Sequence, residues 1–292
     1  MLIKFQELRA KYNLKSTGVL HVGGHYAEEI DDYYNNGINK SIWVEADPTS
    51  YAILQEKVKG YKDAVAFNAC ISNTDGNVLT FNISNNEGQS SSIFEFDYHK
   101  IAHAEVEFID KISLKTKRLD TLLNANNIKI EDYSFLNFDI QGAELIALMG
   151  LGDLLNKVEA LYLEINEKSL YKGCPLVADI DKYLCEYGFD RVETAMCGDF
   201  GWGDAFYIRK EQLLLPDNST DDTVSTSDAS EPIGDSSMTL EQFKEQKSKQ
   251  IFSGLTELIN KGADRYALKH FAKEKVKEVI HEYDLKFRKT NY

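Results

Sequence analysis

The 292-residue chain, 43% hydrophobic and 11% aromatic, has material for one large domain, or for one of ordinary size plus an appendage. No stretch approaches the roughly 18 consecutive apolar residues that span a bilayer, which argues against an integral helical membrane protein. The formal charge of -14 argues against a nucleic-acid groove, because phosphate binding needs a basic face with counterions to release.

The first fifteen residues, MLIKFQELRAKYNLK, carry charge throughout and lack an apolar h-region and a small-residue cleavage site. No secretory signal is expected, and cytoplasmic residence is the default expectation. The first strand is GVLHV (18–22), followed by Gly23-Gly24 and a helix expected over 27–36. A glycine pair at such a turn allows close backbone approach to a ligand, and the following helix offers free N–H groups. Glu28 and Glu29, placed in the first helical turn, favour the helix dipole but would repel a pyrophosphate. A ligand without phosphates, preferably cationic, fits better.

The second strand, SIWVEA (41–46), ends in WVEADP and brings Glu45 about 20 residues after the glycines, where nucleotide-binding α/β folds place the acid that grips ribose hydroxyls. Adenosine without phosphate points to S-adenosylmethionine; a sheet corner with a capped helix is the bland alternative. A helix is expected over 49–59 and a third strand at AVAFNAC (64–70).

Two further strand-like runs, NVLTFNI (77–83) and ISLKT (112–116), flank a polar region at 84–110 that is long for a connector. It reads either as a lid or as a surface excursion with its own short helix. Inside it, His99 and His103 lie four apart, the spacing of a metal pair; solvated helix histidines are the expectation, and no metal is assigned.

After a helix at 119–126 comes SFLNFDI (134–140), an apolar run that ends in Asp139. Gln141-Gly142 break the run, and Glu144 opens a helix at 143–150. In a parallel α/β sheet, ligands sit outside the carboxyl ends of strands, so Asp139 faces the same crevice as Gly23 and Glu45. It is the first candidate for base or substrate orienter; Glu144 either assists or caps its helix. EALYLEI (159–165) brings Glu164 and Asn166 to that crevice, with Glu164 a further catalytic candidate and Asn166 a partner for acceptor hydroxyls. A helix over 177–187 precedes RVETAM (191–196) and DAFYIR (204–209), a hairpin closing one edge. Trp202 and Asp204 in its turn are substrate candidates, since an indole face packs on a sugar ring; Trp202 as an edge filler is the alternative.

A Ser/Thr/Asp/Pro-rich stretch at 215–238 reads as a flexible acidic linker. Beyond it, apolar residues recur at helical spacing and Lys and Arg outnumber Asp and Glu, so two or three amphipathic helices are expected. The expected organisation is a domain over 1–212, a linker over 213–238 and a helical extension over 239–292, the last open to self-association or a protein partner. Cys70, Cys174, Cys185 and Cys197 form no C-x-x-C pair, so reduced, mostly buried thiols are expected.

Several segments, in order, resemble the FkbM family of S-adenosylmethionine-dependent methyltransferases: HVGGH (21–25), WVEADP (43–48), GQSSSIFE (88–95), KRLDTLL (117–123), NFDIQGAELIALMG (137–150), LYLEIN (161–166) and GWGDAFYIR (201–209). The resemblance covers about residues 15–210. It implies a Rossmann-like class I methyltransferase fold, an α/β architecture with a seven-stranded, mostly parallel sheet and an antiparallel last strand. It also implies O-methylation, typically of hydroxyls on sugars or natural products. Cofactor contacts are expected at Gly23, Gly24, His25, Glu45, Ala46, Asp47, Ser72, Asp139 and Gln141, and acceptor contacts at Ser92, Asn166, Trp202 and Asp204. The chain departs from the usual D/E-x-G-x-G turn in having His21-Val-Gly-Gly-His25. His25 is then the better ligand candidate, while His21 reads equally as a satisfied buried histidine. Two other readings stay open: a catalytically silent scaffold whose tail recruits a partner, and nucleic-acid methylation, which the acidic body disfavours.

Overall fold

Apolar runs with no polar alternation become strands covered on both faces, as parallel sheets require. They are β1 (Gly18–Val22), β2 (Lys40–Glu45), β7 (Phe135–Phe138) and β8 (Ala160–Asn166), with the partly exposed β3 (Ala64–Asn68) at the sheet edge. Between β3 and β7 lie β4 (Cys70–Ile71), β5 (Val78–Ser84) and β6 (Phe108–Lys117); β9 (Phe189–Met196) and β10 (Trp202–Arg209) close the series. The main sheet runs β3-β2-β1-β7-β8-β10-β9, with β10 antiparallel to both its neighbours. That order, with the last strand inserted antiparallel beside β8, is the class I methyltransferase arrangement the sequence points to.

The structure, a computed structural model, describes residues 1–213 and, beyond them, isolated positions between 243 and 279, all helical. Two compact units divide the chain, Met1–Asn218 and Ser219–Tyr292. The expected linker lies outside the described residues except for Leu213. In the second unit Phe243 is buried, with Lys247 Nζ 5.6 Å from its ring centroid.

Helices cover both faces of the sheet. On one side α1 (Phe5–Lys11), α2 (Ile30–Asn35) and α3 (Pro48–Val58) share a core with Val19, Trp43, Phe135, Tyr162 and Phe206. On the other, α5 (Leu119–Ala125), α6 (Glu144–Leu151) and α7 (Val177–Glu186) pack on Leu20, Val44, Leu136 and Leu163. Two short helices complete the first unit, α4 (His99–Ala102) and α8 (Lys210–Leu213).

Three departures from the sequence expectations have local causes. The helix expected from residue 27 starts at Ile30, because His25 and Ala27 hold left-handed φ values of 43° and 56°, which a right-handed helix cannot include. Glu28 therefore precedes the helix and Glu29 is its cap residue, so the acids of its first turn are Asp31 and Asp32. The run at 64–70 splits: Ala69 N bonds Glu45 O at 3.0 Å, and Cys70 then pairs with Thr116 in a second sheet, β4-β6-β5. The unexpected α1 forms on two apolar contacts, Phe5 and Leu8, with the Phe5 ring 4.9 Å from that of Phe135.

The polar segment between β5 and β6 closes on itself where Ser84 pairs with Phe108. It carries α4 and packs through Phe96 and Val106 on Leu170, Tyr171 and Cys174. The short helix of the surface-excursion reading is present, and the segment also touches the turns at the strand ends through Ser92 Oγ on Gln141 O and Glu87 O on His25 Nε2. No helix among the described residues is long and apolar enough to cross a membrane. All four cysteines are free; Cys70 and Cys174 are buried, Cys185 is exposed and Cys197 intermediate, so burial covers half of them rather than most.

Candidate active site

Strand parity assembles the site. Residues two apart in a strand share a face, so stepping from Trp43 reaches Glu45, and stepping from Tyr162 reaches Glu164 and Asn166. On the antiparallel strand, stepping back from Phe206 reaches Asp204 and Trp202. Register sets these ends at one edge: Val22 faces Val44 and Phe138, and Trp202 faces Asn166. An apolar floor on the α1–α3 side thus ends in a polar rim, and Asp139 is the first residue past β7 beside it.

The glycine turn is tight against the protein itself. Gly23 has φ 81°, and a Cβ there would lie 1.7 Å from the Asp139 carbonyl oxygen, while one on Gly24 would lie 2.6 Å from Leu54 Cδ1. Both N–H groups donate to Val44 O. The pair is therefore needed for packing the turn between β2 and β7, which seats Asp139 beside it.

Glu45 is buried, and its carboxylate accepts His25 N and Asp47 N, each at 2.8 Å. Burial raises its pKa against the pull of those two bonds and the His25 charge. Asp47 caps α3, accepting Thr49 N at 3.2 Å, Ser50 N at 3.1 Å and Ser50 Oγ at 2.8 Å; Ala46 O accepts Asn68 Nδ2 at 3.1 Å. Ser72 is buried just after β4, with its N–H on Lys117 O. Ser92 is buried too, and its Oγ donates to Gln141 O at 2.8 Å.

Four carboxylates converge at the strand ends. Asp139 is exposed by surface yet ringed by protein: desolvation by those walls and the Asp204 charge push its carboxyl up, to about 6, while a bond from Gln141 and the Met1 ammonium oppose the rise. Glu144 is buried and spends Oε1 on Ile140 N (2.9 Å) and Gly142 N (3.2 Å), pinning the turn that carries Asp139. Desolvation raises it to about 7 despite those bonds. Glu164 is raised well above the carboxylate range by burial and by Asp139, Glu144 and Asp204. Asp204 accepts Leu2 N at 2.5 Å and the Tyr162 hydroxyl; burial raises it as well. Asn166 Oδ1 is buried without a partner among the described residues.

His21 is buried and stacked on Trp43 at 4.6 Å, and burial lowers its pKa to about 4, so it stays neutral in the core. His25 sits on the turn with Nδ1 2.6 Å from Glu28 Oε1 and Nε2 2.9 Å from Glu87 O. A carboxylate and a carbonyl only accept, so both nitrogens donate and the ring is the imidazolium. Burial opposes that charge, but the Glu28 bond, the Glu87 carbonyl and the Glu28 and Glu45 charges outweigh it and raise the pKa. The histidine thus ties the segment between β5 and β6 to the glycine turn. Because the folded pKa lies above the unfolded value, the tie is complete below about pH 6.5 and lost as pH climbs through the raised folded value. Amide exchange at 84–92, corrected for its intrinsic pH dependence, is expected to quicken across that range and to lose the step in His25→Ala; a step that survives the substitution would rule the tie out.

His99 is buried rather than solvated, with Nε2 3.2 Å from Ser90 Oγ and burial lowering it to about 4. His103 Nε2 accepts Trp202 Nε1 at 3.3 Å, so half-buried Trp202 bridges the hairpin turn and the covering segment. No group of three or more His, Cys, Asp or Glu among the described residues is placed to hold a metal. Sequence reasoning misses Tyr171, whose hydroxyl donates to Gln141 Oε1 at 2.5 Å. Its signal is faint: one aromatic in a polar stretch just past a strand.

A model of the methyltransferase FkbM domain matches residues 21–191. The 2-O-methyltransferase NoeI of Sinorhizobium fredii is 30% identical over 144 residues, 47% of this chain, and the chain spans 58% of that curated relative's length. Among solved structures, magnesium protoporphyrin IX methyltransferase of Synechocystis PCC 6803 with bound S-adenosylmethionine is 14% identical, with 70% of this chain and 74% of that one covered and a TM-score of 0.39. TrmK of M. capricolum with S-adenosylhomocysteine is 12% identical, covering 97% and 98%, with a TM-score of 0.40. Neither likeness is near enough to speak of an acceptor.

Proposed function

Because this chain belongs to the FkbM methyltransferase family, we propose that it is an S-adenosylmethionine-dependent O-methyltransferase acting on a hydroxyl of a sugar or glycosylated small molecule. The observation that carries this reading is an open carboxylate, Asp139, at the rim of a crevice where β2 also ends in buried Glu45. Oxygen as the methylated atom is supported by the relative named a 2-O-methyltransferase. A sugar-containing acceptor is supported by Trp202 beside a rim of acceptor groups, Glu164, Asn166 and Asp204. Residues 1–212 carry the activity in this reading, with the linker at 213–238 and the helical extension at 239–292 outside it.

The residues present fit the cofactor. Each Glu45 oxygen accepts one backbone N–H and keeps a lone pair for a ribose hydroxyl. The side-chain-free turn lies beside it, and the carboxylates around the crevice match a cationic ligand better than a phosphate. When bound, S-adenosylmethionine supplies a methyl group on a positively charged sulfur.

The chain's own work is alignment and proton removal. Glu144 fixes the turn at 140–142 and so the height of Asp139; Glu45 and the glycine turn fix the opposite wall. Methyl displacement gains most of its rate from such alignment. Asp139, with a pKa near 6, is largely ionised at neutral pH yet basic enough to accept the acceptor hydroxyl's proton as the C–O bond forms. Burial and the acids around it raise Glu164 well above the carboxylate range, which favours Asp139 over it as the ionised base.

Calorimetric titration with S-adenosylmethionine and S-adenosylhomocysteine, with NAD and ATP as controls, tests the cofactor half. Selective binding of the sulfur pair is expected, weakened about 100-fold in Glu45→Ala, which loses charge-assisted hydrogen bonds. Binding of NAD or ATP in preference, or of nothing, would turn the reading towards a scaffold.

A further inference from the structure

Two carboxylates that approach a common point repel unless a donor or a proton stands between them. Between Asp139 and Glu164 the donor is the side-chain amide of Gln141, whose Nε2 lies 2.7 Å from Asp139 Oδ1 and 2.9 Å from Glu164 Oε2. Its other end, Oε1, accepts the Tyr171 hydroxyl at 2.5 Å. Its backbone carbonyl accepts Ser92 Oγ, so the covering segment also holds it. These partners fix the sense of the amide, since a flipped one would set its oxygen against Asp139 Oδ1, which only accepts when ionised.

Gln141 is also strained into place. Its φ of 55° is left-handed, a region that non-glycine residues enter at a cost. Nothing about the turn alone calls for a five-atom polar side chain there; what the backbone conformation achieves is to aim that side chain between the two acids. A lysine or arginine would hold the same pair more firmly, but its charge would weaken Asp139 as a base. A neutral amide holds without that effect.

We infer that Gln141 is a positioning residue for the transfer: it fixes Asp139 through Oδ1, leaves Oδ2 for the acceptor hydroxyl, and adds no charge beside the base. This role rests on the assignment of Asp139 as base or orienter. Ser92 and Tyr171 act through it, since each holds one end of Gln141 in register with the two acids.

The test is a ¹³C NMR titration of Asp139 in protein labelled at aspartate Cγ, comparing the wild type with Gln141→Met and Gln141→Glu. Met keeps the length of the side chain and donates nothing; Glu keeps its shape and adds a third acid. The Asp139 midpoint is expected to rise in both, because the Gln141 bond opposes the rise that burial imposes. A purely structural role would lower thermal stability and leave the midpoint where it is. An unmoved midpoint in the two variants overturns the inference. Methyl transfer by Asp139→Asn separates this result from the reading beneath it. A moved midpoint with intact transfer in Asp139→Asn would keep the contact and remove the base, whereas an unmoved midpoint with lost transfer would keep the base and remove Gln141's part.

Discussion

Asp139→Asn is expected to lower methyl transfer to a glycan acceptor by about 10²–10⁴-fold, the usual contribution of a positioned general base, while S-adenosylhomocysteine affinity stays nearly unchanged. The substitution is close to isosteric, and an asparagine carbonyl oxygen still accepts the bond that Gln141 Nε2 gives to Oδ1. What it removes is the proton acceptor and one negative charge from a crowded acidic cluster. Loss of the charge relieves its repulsion with Glu164 and Asp204, so the variant should fold at least as well as the wild type. Single-turnover rates measured beside calorimetric affinities separate the two roles. Lost affinity with retained turnover would move Asp139 from the chemistry to cofactor binding.

Gly23→Ala is expected to cost on the order of 3–5 kcal/mol, from left-handed backbone strain together with overpacking. Its Cβ would stand 1.7 Å from Asp139 O, a backbone atom with no freedom to swing aside, and φ is 81°. The turn would have to part from β7, carrying Asp139 N off Val22 O, to which it now donates at 2.9 Å. Folding and site geometry should therefore fail together. Denaturant unfolding gives the first effect and S-adenosylhomocysteine titration the second. A variant that unfolds within about 1 kcal/mol of the wild type would mean that the turn relaxes with an ease its packing does not suggest.

The central strands are legible in the sequence because burial on both faces leaves a continuous apolar run, and the position of Glu45 and Asp139 at strand ends follows from where those runs stop. The carboxyl-end rule then brings both acids to one crevice without knowledge of any contact. Residues whose work depends on a distant partner are not legible in this way. Nothing in EADPTS separates an acid that faces a ligand from one that caps α3, as Asp47 does. Ser92 and Tyr171 meet Gln141 from 49 and 30 residues away, distances across which local pattern is silent. His25 stands where a ligand contact is expected, but both its ring nitrogens are occupied by Glu28 and the Glu87 carbonyl. The exit of the chain from the main sheet at Ala69 is hidden for a similar reason: in the run AVAFNAC only Asn68 interrupts the apolar residues, and nothing local says that pairing changes there from β2 to β6.

The segment between β5 and β6 leaves and rejoins the protein through two antiparallel strands whose ladder closes its base at Ser84 and Phe108. A chain excursion anchored in that manner is a cassette. Its length and composition can change while the seven-stranded sheet, the glycine turn and Glu45 stay as they are, since lengthening a closed loop costs only a slowly growing entropy. On the function proposed above, rewriting this one insert would change the acceptor side at Ser92 while Trp202, Asn166 and Asp204 on the sheet stay in place.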